Sequence, residues 1–278
     1  MGKKFFYIFV IISVLLSSCA VKKYKDIPYL ENPNSSKEQP TLNIFSPKDP
    51  DNKKSSVLLF VHGGNWNSGS KNWYNFFGRN FARKGITCVI IDYTLSPNAS
   101  YEEMTQEVAD AIKWTKRNIE NYNKKAETLF VTGHSAGAHL VSLAIVNPKY
   151  GIAPNTVAGI ILNDAGALDM YKYLQKNPPT SNENYLDTWS ADPKNWKQAS
   201  PIYFLNEDTP PIMMYVGKKT YPAIKQGNMD FLWELQKYQP EASIQRVNKK
   251  HIPMITQYLW PWNKRYDEII EFMDSNTE

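Results

Sequence analysis

The sequence predicts an α/β fold, with a mostly parallel central sheet and helices on both of its faces. Three observations predict it. Strand-like apolar runs alternate along the chain with amphipathic helical patterns, as expected of parallel strands joined by crossover helices. Runs such as 56–61 and 86–91 are apolar without alternation, as in strands covered on both faces. Glycine-rich turns follow two such runs, at His62-Gly63-Gly64-Asn65-Trp66 and at Gly133-His134-Ser135-Ala136-Gly137. A chain of 278 residues, 42% hydrophobic and 21% charged, fits one larger α/β domain or two small ones, with a full core available.

Residues 1–18 read as a signal peptide, with a basic start at Lys3 and Lys4 and an apolar stretch over 5–16 that is short for a membrane span. The stretch ends at Leu16-Ser17-Ser18-Cys19, which resembles the lipobox of bacterial lipoproteins. The resemblance implies cleavage before Cys19 and lipidation of its thiol, placing the protein on a membrane of the bacterial cell envelope. Residues 19–40, polar and carrying Pro28, Pro33 and Pro40, read as a lipidated tether that leaves 41–278 as the folded domain.

Within that domain 41–45 alternates as an edge strand and 56–61 is a buried strand. Residues 72–84 place Trp73, Phe76, Phe77, Asn80 and Phe81 at helical spacing, and Gly85 closes that helix. Strand 86–91 precedes a long amphipathic helix over 101–122, whose apolar side carries Val108, Ile112, Trp114 and Ile119. Strand 129–132 feeds a helix over 136–145. Further strands fall at 157–162 and 211–216, a helix at 228–238, the last strand at 243–247 and a closing helix at 266–273. The rhythm stops between about 168 and 206, where Tyr171, Tyr173, Tyr185, Trp189, Trp196 and Tyr203 occur without a clean strand. Such a stretch is either a lid-like insertion or a set of surface helices packed on the body.

A net charge of +5, or +3 without Lys3 and Lys4, is too mild to argue for a nucleic-acid partner. Cys88 lies in an apolar strand and reads as a small buried hydrophobe, so with Cys19 lipidated no intrachain disulfide is available. Four histidines without a Cys-x-x-Cys partner argue against zinc, and no metal is expected.

The chemistry centres on Ser135. A serine hydroxyl is a weak nucleophile at neutral pH and needs both sharp exposure and an adjacent base. A G-x-S-x-G turn between a strand and a helix supplies the exposure. The glycines at 63 and 64 let backbone N–H groups approach a substrate carbonyl, so Gly64 or Asn65, paired with Ala136, are the candidate oxyanion donors. Of the four histidines, His62 and His134 belong to the two turns and His139 lies one helical turn past Ser135. His251 remains, after the last strand, and is the candidate base.

His62-Gly63-Gly64-Asn65-Trp66 with Gly69-Ser70-Lys71, then Asp92-Tyr93, then Gly133 to Leu140, resembles the esterase/lipase branch of the α/β-hydrolase superfamily. The similarity is greatest to bacterial carboxylesterases and feruloyl- or acetyl-esterase-like proteins, over roughly 41–273. It implies a serine ester hydrolase working through an acyl-enzyme without a cofactor. The family usually carries its acid in a Gly-x-x-Asp loop after the next-to-last strand. Here that loop reads Gly217-Lys218-Lys219-Thr220-Tyr221-Pro222, shortened and without a carboxylate.

An acid is still wanted, because the imidazole needs an acceptor that fixes its tautomer. Asp164, at the end of the preceding strand, is the favoured candidate, since sites gather at the carboxyl ends of strands in open α/β sheets. Asp230 and Glu234 on the following helix are alternatives, as is a backbone acceptor, while Asp169 matches a position that looks structural. The substrate expected is a small-molecule or glycan ester, acetyl or feruloyl esters of glycans in particular, if Trp66, Trp73, Trp189, Trp260 and Trp262 line a stacking mouth. Two other readings use the same residues: a non-catalytic binding lipoprotein on this scaffold, and an amidase or transacylase.

Overall fold

Unbroken apolar runs form the middle of the sheet and charged, alternating ones its edge. The computed structural model describes residues 21–31, 38–48 and 55–277. Its strands are β1 (Val21–Pro28), β2 (Thr41–Pro47), β3 (Ser55–Val61), β4 (Thr87–Ile91), β5 (Ala126–His134), β6 (Gly159–Asn163), β7 (Ile212–Gly217) and β8 (Ile244–Val247). They form one sheet in the order β1-β2-β4-β3-β5-β6-β7-β8. From β3 to β8 every pairing is parallel, while β2 runs antiparallel to both β1 and β4.

Helices cover both faces. On one face α1 (Asn75–Arg83) and the closing helix Arg265–Ser275 bury Phe77, Phe81, Tyr266 and Met273 against Leu58, Phe60, Cys88 and Phe130. On the other lie α2 (Tyr101–Asn118), α3 (Ala136–Val146) and the helix Pro222–Leu235, packed over Leu59, Val61, Val131 and Leu162. Helix α2 begins at a capping box, in which Ser100 and Glu103 satisfy each other's backbone N–H groups. The chain goes from β3 to β4 on one side and returns to β5 on the other. This opens a crevice at the carboxyl ends of β3 and β5, where doubly wound sheets bind ligands.

One sequence expectation changes, and one of two open readings is favoured. The tether expected over 19–40 contains β1, because an edge strand tolerates the lysines and proline that make the segment read as a linker. Lys23 holds its ammonium over the Phe45 ring and donates to Asn75, and Tyr24 packs edge-on against Tyr122 at 4.9 Å. The 168–206 stretch consists of short helices, α4 (Met170–Lys176), α5 (Tyr185–Trp189) and α6 (Pro193–Gln198), with Trp189 and Trp196 buried against the body. The remaining helices are then α7 (Pro222–Leu235), α8 (His251–Thr256) and α9 (Arg265–Ser275).

Candidate active site

Ser135 stands alone between β5 and α3, held at φ 54° and ψ −118°. A non-glycine residue there carries about 1–3 kcal/mol of strain and persists only where its surroundings fix it. Its N–H donates to Asn163 O at 3.1 Å, and its carbonyl accepts from Gly166 N at 3.1 Å and His139 N at 3.2 Å. The flanking glycines are required by close approach. A Cβ on Gly137 would lie 2.1 Å from Val61 O, and one on Gly133 2.4 Å from Gly137 C.

Across the crevice the loop after β3 carries three successive residues in the left-handed region, Gly64, Asn65 and Trp66. Gly64 O accepts from the N–H groups of Asn67 and Ser68 and from the Ser68 hydroxyl, which closes the turn. Tyr93 donates its hydroxyl to His62 O at 3.2 Å, and the buried Lys71 ammonium lies 2.8 Å from Asp92 and 3.0 Å from Asp26 of β1. Burial works against the Lys71 charge, but its bonds to Asp92 and Asp26 outweigh burial and raise its pKa. The Asp92-Tyr93 pair is therefore the support that holds the glycine loop in place. Gly63 lies against Ser135, and Ala136 is the first residue of α3, so Gly64, Asn65 and the helix N-terminus meet at the serine.

His251 opens α8, and its ring reaches Ser135 on one side and Asp164 on the other. Nε2 lies 2.9 Å from Ser135 Oγ, and Nδ1 lies 2.6 Å from Asp164 Oδ2. Asp164 is fully buried at the end of β6. Its Oδ1 accepts from Gly217 N at 2.9 Å, and its Oδ2 also accepts from the Thr220 hydroxyl at 2.5 Å. Burial pushes the Asp164 pKa up, but the bonds from His251, Thr220 and Gly217 outweigh it and hold the group below its ordinary value. An ionised carboxylate only accepts, so Nδ1 carries the ring proton and Nε2 is left to accept from Ser135.

The loop that lacks the expected acid thus supplies the donors that orient an acid from the neighbouring strand. Asp230 instead pairs with Lys172 at 2.6 Å and Glu234 with Lys237, so neither touches His251. Asp169 caps α4 and lines the cleft.

The other histidines hold the frame. His134 donates from Nε2 to His251 O at 3.2 Å, and burial together with the His251 charge lowers its pKa to about 3. His139 donates from Nε2 to Ala199 O at 2.7 Å and accepts the Trp66 indole N–H at 3.2 Å. Burial lowers its pKa to about 4. His139 therefore ties the glycine loop and the inserted helices to the serine helix. Thr220, Lys71 and this use of His139 were not legible in the sequence, since their partners lie far away along the chain.

A cleft of about 1080 Å³ opens over Ser135 and His251. Its walls carry Trp73, Tyr74 and Phe76 on one side, Leu168, Met170, Tyr173 and Tyr185 on the other, and Tyr221, Ile224, Ile252 and Ile255 beyond. Among the described residues, no lysine or arginine lines it. Of the tryptophans expected at a stacking mouth, Trp66 and Trp73 line the cleft, with Trp73 65% exposed. Trp189 is instead in the core, and Trp260 and Trp262 stack on each other outside the cleft.

Parallel strands, a strained serine between strand and helix, and an acid and a histidine from later loops define an α/β-hydrolase. The BD-FAE family model matches residues 42–225, and the chain belongs to that family. It is 26% identical over 197 residues to Esterase LipC of Mycobacterium tuberculosis, a match covering 64% of this chain and 47% of that one. The chain spans from a quarter to just under half the length of the first curated relatives it matches. Its fold is similar to an inhibited Esterase B from Lactobacillus rhamnosis, with a TM-score of 0.73, 17% identity, and 98% and 94% of the two chains covered. A truncated carbohydrate esterase from gut microbiota is also similar, with a TM-score of 0.70, 19% identity, and 89% and 95% covered.

Proposed function

We propose that the protein is a serine carboxylic ester hydrolase. The observation that carries this reading is the continuous line from Ser135 through His251 to the buried Asp164, set beneath the glycine loop. As Ser135 Oγ attacks an ester carbonyl, its proton passes to His251 Nε2, and Asp164 stabilises the imidazolium. The carbonyl oxygen becomes an oxyanion held by N–H groups of Ala136 and of Gly64 or Asn65, each worth roughly 3 kcal/mol. His251 then protonates the leaving alcohol, and the alcohol departs to leave an acyl-serine. Water, deprotonated by the same nitrogen, releases the acid and restores the serine.

Acetyl or feruloyl esters of glycans are the substrate reading. Aromatic walls support it, because pyranose and phenyl rings both stack on groups such as Trp73 and Tyr221. Residues 1–20 lie outside the described residues, and lipidation at Cys19 with anchoring in the cell envelope remains a proposal from the sequence. A non-catalytic role is disfavoured by the strained serine, whose conformation serves no purpose in a scaffold. Turnover of short p-nitrophenyl esters and of acetylated or feruloylated oligosaccharides, by wild type and Ser135→Ala, tests the proposal. It predicts hydrolysis that is lost in the variant. Equal turnover in both would overturn the mechanism, and hydrolysis restricted to the simple esters would overturn the glycan reading.

A further inference from the structure

The direction of β1 sets how the domain stands on a membrane. β1 runs parallel to β4, since each is antiparallel to β2. Its first residue, Val21, pairs with Pro47 at the amino edge of the parallel strands. Its last, Pro28, pairs with Thr41, whose carbonyl accepts from Asp92 N at the carboxyl edge, beside the glycine loop. The eight residues of β1 therefore span most of the height of the sheet, roughly 23 Å at about 3.3 Å per residue. Cys19 is two residues before Val21 in the sequence, and two residues reach about 7 Å at most.

The charges around that point agree. Among the described residues, Lys22, Lys48, Lys84, Lys124 and Lys125 lie at the amino edge beneath β1 to β5, against Glu120, Glu127, Asp267 and Asp274, the last beside Thr277 at the start of β3. Acidic residues Glu207, Asp208 and Glu241 gather at the far end of the same edge, before β7 and β8. No helix among the described residues is long and apolar enough to cross a membrane.

We infer that the amino edge around Val21 and Lys48 is the face that lies on an anionic lipid bilayer, so that the cleft opens away from it. This rests on the proposed lipidation of Cys19. Lysines near an anionic surface are drawn to it, which biases a domain already tethered at one corner. The esters that reach Ser135 then come from the aqueous side, as a soluble or polymeric substrate, and the lipids of the anchoring leaflet lie out of reach.

The test uses the full-length protein, expressed in a bacterium with a lipoprotein pathway and reconstituted into vesicles containing phosphatidylglycerol and a quencher-labelled lipid. A fluorophore is placed at Lys48→Cys or at Leu186→Cys, an exposed position on α5 at the cleft end, while Cys88 is buried and escapes labelling. Strong quenching at Lys48→Cys, lost at Leu186→Cys, is the expected result. Equal or stronger quenching at Leu186→Cys would overturn the orientation. Incorporation of a clickable fatty acid into wild type but not Cys19→Ser is read separately. Its absence would overturn the lipidation, and with it the inference, in a way that quenching at the wrong site would not.

Discussion

Asp164→Asn removes a single charge and leaves the shape of the site nearly unchanged. The carboxylate has three donors aimed at it: Gly217 N–H on Oδ1, and Thr220 O–H and His251 Nδ1–H on Oδ2. An asparagine accepts on one atom only. With its oxygen toward Gly217, its amide donates to His251 Nδ1 and drives the ring proton to Nε2, where it faces Ser135. With its oxygen toward His251, its amide meets the Gly217 N–H, a buried donor opposed to a donor. Either way the working tautomer is lost or strained, and the imidazolium loses its counter-charge.

A loss of about 10⁴ in kcat is expected, or roughly 5 kcal/mol. The assay is steady-state hydrolysis of a short p-nitrophenyl ester, with near-ultraviolet circular dichroism to show that the fold persists. Asp230→Asn and Glu234→Gln, whose carboxylates pair with Lys172 and Lys237, are expected to stay near wild type. Asp164→Asn within about tenfold of wild type would refute the relocated acid.

Thr220→Val deletes one of the two bonds that hold the carboxylate besides His251, worth about 1.5–3 kcal/mol for a charged acceptor, so kcat/KM should fall roughly 10- to 100-fold. Thr220→Ser should retain most of the activity in the same assay. The folded-state pKa of His139, about 4, lies below its unfolded value of about 6.5. Its stabilising contribution is thus full above pH 6.5 and is lost as pH falls toward 4, by roughly 3 kcal/mol in total. His139→Gln keeps a donor for Ala199 O but does not titrate, so the fall in urea-derived unfolding free energy between pH 7.5 and pH 4.5 should shrink by about 2.5 kcal/mol. Lys71→Met leaves Asp92 and Asp26 without their cation and should cost about 2 kcal/mol, less than a fully buried pair because Asp26 is largely exposed. Thermal melting reads that loss, and kcat/KM should fall with it as the glycine loop loosens.

The serine turn and the glycine loop were legible because each is a contiguous run whose glycines answer local contacts with the next strand or helix. His251 was reached by elimination and by chain order. Asp164 could only be one candidate among several, since what selects it is Thr220 and Gly217, more than fifty residues further on, arriving through the pairing of β6 with β7. The first strand was misread for an opposite reason. Lysines and a proline belong on a sheet edge as readily as on a linker, and composition alone cannot tell the two apart. Trp189, a candidate for the stacking mouth, lies in the core because Trp66, Tyr101 and His139 surround it, and nothing nearby in sequence reveals those partners.

The most direct measurement is intact-mass and peptide mapping of the protein after exposure to a fluorophosphonate. An activated serine displaces fluoride and gains one phosphonyl group. Stoichiometric modification at Ser135, absent in Ser135→Ala and strongly slowed in Asp164→Asn, is the predicted result. An unmodified Ser135 in folded protein would contradict it, and the line from Ser135 to Asp164 would then be geometry without chemistry.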